Sequence, residues 1–78
     1  MTKINKKMKV FKGQLKIGTE SEVVTNQFTG KSVTLEPDAV AVYDLIMGSQ
    51  LTNNYKLTRI GLDWFIKHYP KQYMVLLD

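Results

Sequence analysis

The apolar and polar positions change their period at residue 36. Before it the pattern is short and two-fold; after it, helical. Residues 1–9 carry Ile4 and Met8 after the first residue and alternate poorly, so they read as a flexible basic arm. Residues 10–17 suit a strand, with Leu15 and Ile17 on one face and Lys16 on the other; Gly13 weakens it or marks a bulge. Over residues 22–35 the pattern predicts a hairpin. Val23, Val24 and Thr25 favour one strand, and Ser32, Val33, Thr34 and Leu35 the other. The residues between them, Asn26 to Lys31, hold turn chemistry, with Gly30 free to take a positive φ. Val33 and Leu35 should face the rest of the protein while Ser32 and Thr34 face water.

Three helices are expected after that. Pro37 suits a first helical position, where its missing N–H is not needed, and Asp38 suits the first turn. The helix that follows is apolar over most of its circumference, with only Asp38 and Asp44 clearly calling for water, and Gly48 is its expected stop. Thr52 or Asn53 should cap the second helix, whose stripe is Leu57, Ile60, Gly61, Trp64 and Phe65, with Lys56, Arg59, Asp63 and Lys67 on the solvent side. Gly61 costs about 1 kcal/mol in a helix interior. Close approach of the first helix, at Ala39 or Ala41, is the expected compensation. Pro70 ends the second helix and opens a third, with Tyr73, Leu76 and Leu77 on one face; a strand over residues 73–77 is the alternative. The fold class is therefore small α+β: an N-terminal antiparallel hairpin, or a sheet of two or three strands, packed on a three-helix C-terminal unit. Residues 10–78 form one domain behind the arm.

A chain of 78 residues buries only about 60% of its unfolded surface. It has no Cys, so disulfides and thiolate metal sites are excluded. Stability has to come from aromatic packing, self-association or a partner. The first helix asks for cover on more sides than one hairpin and one helix supply, which predicts a homodimer with Tyr43, Leu45 or Met47 at the contact. Tyr55, Tyr69 and Tyr73 are read as partly exposed, which makes Tyr55 and Tyr69 further candidates for an interface.

The net charge of +4 is unevenly spread. Lys3, Lys6, Lys7, Lys9, Lys12 and Lys16 all precede the first acid, Glu20, whereas the remainder has five bases against seven acids. The lysine-rich segment is a candidate for contact with nucleic acid, without sequence preference because it contains no Arg for bidentate readout of guanine. A solvated tail is the plainer reading. No apolar run reaches the roughly 18 residues that span a bilayer, so no membrane partner is expected and the cytoplasm is the expected setting.

The chemistry of a catalytic centre is thin. His68 is the only His, with no Cys to share a zinc ion, and a surface His near a helix C-terminus accounts for it. Glu36, Asp38, Asp44 and Asp63 read as ordinary first-turn or surface acids rather than an acid–base pair. Thr29-Gly30-Lys31-Ser32 ends like a phosphate loop, but Thr25 stands where the first Gly belongs and no helix follows directly. No catalytic residue, cofactor or metal site is assigned.

Gln27-Phe28-Thr29-Gly30, the segment LEPDAVAVYDLIM over residues 35–47, GLDWF over 61–65 and YPKQYMVLLD over 69–78 resemble short accessory proteins of tailed bacteriophages, especially marine ones. The resemblance covers roughly residues 26–78 and leaves out the lysine-rich arm. It implies a small accessory protein acting inside an infected bacterium and brings no functional residue with it. The expected function is a non-enzymatic modulator that binds a host or phage protein. The alternatives are a nucleic-acid-binding accessory and a small-ligand-binding oligomer.

Overall fold

The computed structural model describes residues 10–11 and 15–77. Strand β1 (Glu22–Thr25) pairs antiparallel with β2 (Ser32–Leu35), and three helices follow: α1 (Pro37–Leu51), α2 (Tyr55–His68) and α3 (Pro70–Leu76). This is the small α+β arrangement the pattern predicts. The register sets Val24 against Val33 and Glu22 against Leu35. Leu35 is fully buried and Val33 half-buried, while Ser32 and Thr34 face water, as the two-fold alternation requires.

The strand expected over residues 10–17 is not found among the described residues. Val10 and Phe11 lie in a short 3₁₀ turn, and the sheet has two strands. Phe11 is held by its side chain instead of a backbone ladder: its ring packs edge-on to Trp64 with centroids 6.1 Å apart. Ile17, expected to share one face with Leu15, is exposed, whereas Leu15 is half-buried. Residues 1–9, read as the arm, lie outside the described residues.

Pro37 opens α1 as expected, but Gly48 does not end it. The helix runs on to Leu51 and closes at Asn53, which takes a left-handed φ of 58°. The Asn53 amide donates to the Gln50 carbonyl (3.2 Å), and the Asn54 amide donates to that of Ser49 (2.8 Å). Those two bonds and a left-handed residue make a Schellman ending, with Asn in the place usually held by Gly. Gly48 therefore has no need to leave the helix. Asn54, rather than Thr52 or Asn53, then caps α2 by accepting from the Leu57 amide at 3.2 Å.

The short connection lays α2 against α1. Gly61 is buried where the two helices meet, and an added Cβ there would stand 2.6 Å from Ile46 Cγ1. The compensation expected for this glycine is present, but it comes from Ile46 and not from Ala39 or Ala41. The Ser49 and Thr58 hydroxyls bond across the same interface. Trp64 and Phe65 complete the core with Phe11, Leu35, Ala39, Val42, Ile46 and Tyr69. Tyr69 precedes Pro70, which keeps it out of the helical region (φ −138°, ψ 62°) and breaks the chain into α2 and α3.

Candidate protein-interaction groove

The loop between β1 and β2 is tied down by Asn26. Its amide donates to the Lys31 carbonyl (2.8 Å), and its carbonyl accepts from the Gly30 amide (2.8 Å). Its side-chain Oδ1 accepts from the Phe28 amide at 2.9 Å, an Asx turn, while Nδ2 donates across the fold to the Val75 carbonyl of α3, also at 2.9 Å. Gly30 closes the turn at φ 75°. Within this braced loop the Phe28 side chain packs on nothing and is 100% exposed.

Phe28 stands on one wall of an open groove of about 500 Å³. Thr25, Asn26 and Gln27 continue that wall, and Leu76 and Leu77 come from the end of α3. The remainder is one flank of α1, where Tyr43, Met47 and Gln50 reach it. Tyr43 and Met47 are four residues apart and so stack on a single helix face; the next position of that row is Leu51, 86% exposed. Among the described residues, none that lines the groove carries a charge, in a chain that is 23% charged. No family model, curated protein or solved structure matches the chain.

The residues singled out from sequence divide. Tyr43 and Met47 are half-buried and line the groove. Leu45 lies on another face of α1, toward Gly61 of α2. Tyr55 is exposed in the first turn of α2, and Lys16 is exposed as well. Lys3, Lys6, Lys7, Lys9 and Lys12 lie outside the described residues. The expected exposure of Tyr69 is corrected: it is buried. Phe28 was missed, because a single aromatic in a turn segment carries no periodic signal; the Asn26 and Gly30 turn chemistry around it is the only local hint that it is displayed.

Asp38 needs correction too. It was expected in water, yet it is buried, and its Oδ1 accepts from the Tyr69 hydroxyl at 2.7 Å and from the Ala39 amide at 2.8 Å. Glu36 Oε2 lies 2.9 Å from the same hydroxyl. Burial, reinforced by hydrogen bonds to Asp38 and Glu36, pushes the Tyr69 hydroxyl far above the usual tyrosine range. The raised value favours the protonated hydroxyl, which donates. Its work is to fasten the start of α1 to the α2–α3 junction. His68 is half-buried, with its ring 5.0 Å from that of Trp64. Among the described residues no three His, Asp or Glu side chains gather to hold a metal ion, and no helix is long and apolar enough to cross a membrane.

Proposed function

We propose that this is a non-enzymatic binding protein that acts by contact with another protein through the Phe28 groove. The observation that carries the reading is Phe28 itself. Leaving a phenylalanine wholly in water costs the hydrophobic free energy of its burial, about 1.5–3 kcal/mol, and here a braced loop holds it there. Aromatics displayed beside a half-buried surface of mixed polarity are what protein interfaces use as anchors. The resemblance to phage accessory proteins supports a setting in which that contact modulates a host or phage factor in the infected cell.

The test is a photo-crosslinking residue in place of Gln27, on the groove wall, in protein expressed in bacterial cells. The expected result is a crosslinked polypeptide that disappears when Phe28→Asp is added. Adducts that are absent, or indifferent to Phe28→Asp, overturn the reading.

A further inference from the structure

We propose that α3 is a latch: it leaves the body as a unit while the hairpin, α1 and α2 stay folded, and the Asn26 side chain is its catch. Of α1, α2 and α3, only α3 has no buried residue. Tyr73, Leu76 and Leu77 rest half-buried on the core, and Met74 is 68% exposed. Segments with few buried apolar contacts are the ones that open first. At seven residues, α3 is also well short of the roughly 12–15 that hold a helix in water without support. Undocking and melting are therefore one event. Its start is a fixed post. Tyr69 is buried, and its hydroxyl bonds to Asp38 and Glu36. The Tyr69 amide donates to the Phe65 carbonyl at 2.8 Å, so α2 is closed off without help from α3.

The far end of α3 is held across the fold. The last carbonyls of a helix have no partner within it, and that of Val75 takes its donor from Asn26 Nδ2 at 2.9 Å. Oδ1 of the same side chain accepts from the Phe28 amide, also at 2.9 Å. One amide group thus joins the turn that displays Phe28 to the helix that supplies Leu76 and Leu77, and all three side chains line one groove. With α3 undocked, the groove loses two of them. A ligand that touches Leu76 and Leu77 binds the docked state better and holds the latch shut, and loosening the catch weakens that ligand as the docked fraction falls. This regulation of the groove rests on the proposed function; the opening of α3 does not.

Native-state hydrogen exchange on the full chain reads the opening with no partner present. The Tyr73 and Leu77 amides bond to the Tyr69 and Tyr73 carbonyls. They should exchange at least about tenfold faster than those of Ile46 and Phe65, corrected for intrinsic rates, and respond little to low urea. Asn26→Asp keeps an oxygen for the Phe28 amide but removes the donor to Val75. It should speed exchange at Tyr73 and Leu77 about tenfold further, whereas Phe28→Ala, which leaves the catch in place, should not. Exchange in α3 with the urea dependence of Ile46 and Phe65 overturns the proposal, as does indifference to Asn26→Asp. Adding Tyr73→Ala to Asn26→Asp removes a side chain that rests on the core without lining the groove. The pair should strip α3 of protection, keep Ile46 and Phe65 protected, and abolish the Gln27 crosslink in cells. A crosslink that survives with α3 unprotected overturns the regulation. If α3 opens alone but no Phe28-dependent crosslink forms in the native chain, the groove reading falls and the latch stands. If the crosslink forms and α3 opens only with the whole fold, the latch is wrong and the groove reading stands.

Discussion

The Tyr69 hydroxyl lies 2.7 Å from Oδ1 of Asp38, joining residues 31 apart in sequence where α2 gives way to α3. The contact buries a carboxylate in the first turn of α1, and the hydroxyl supplies one of its donors. Tyr69→Phe keeps the ring against Trp64 and Phe65 but withdraws that donor. Because a buried acceptor left short of a partner costs about 1–3 kcal/mol, chemical denaturation of Tyr69→Phe should show a loss in that range with an unchanged m-value.

The same contact sets a pH dependence. The folded state holds the Tyr69 proton more tightly than the unfolded chain does, since its hydroxyl is pushed up by burial and by the two carboxylates. The stabilisation is complete below the unfolded tyrosine pKa of about 10 and declines as pH rises beyond it, by at most about 1.4 kcal/mol per pH unit. The stability difference between the native chain and Tyr69→Phe should therefore be flat from pH 7 to 9 and shrink above pH 10, read by urea melts at each pH. A difference that grows above pH 10 would contradict it.

Gly61→Ala tests the tight contact of α2 with Ile46 of α1. Alanine gains about 1 kcal/mol of helix propensity, but its Cβ would stand 2.6 Å from Ile46 Cγ1. That atom is not a free chain end, so overpacking of about 1–3 kcal/mol should win and the variant should melt lower. Combining it with Ile46→Ala, which removes the clashing atom, should cost less than the two single changes added together.

Asn53 takes the left-handed turn that ends α1, at φ 58°. Asn53→Ala should cost about 1 kcal/mol, because a Cβ without a polar group has no compensation in that region. Asn53→Gly should be close to neutral, its freedom from strain offset by its larger unfolded-state entropy. Thermal melts of the pair decide it, and equal losses for both would place the importance of Asn53 in its side chain.

What the sequence determined by itself was local: where the hairpin strands begin and end, Pro37 and Pro70 as helix openers, the Trp64–Phe65 stripe, and a glycine at 61 that needed a close neighbour. Each follows from relations within about four residues, which is the reach of strand alternation, helical periodicity and capping. The tertiary structure decided the rest. Gly48 stays helical because the Schellman bonds form at Asn53, five residues on. Asp38 is buried because Tyr69 arrives with a donor, and Phe11 leaves the sheet because Trp64 offers an edge. The groove lies where the hairpin meets α3, and the Asn26 side chain bonds there to the Val75 carbonyl, 49 residues away. Contacts of that span depend on how whole elements pack, and no pattern along the chain encodes them.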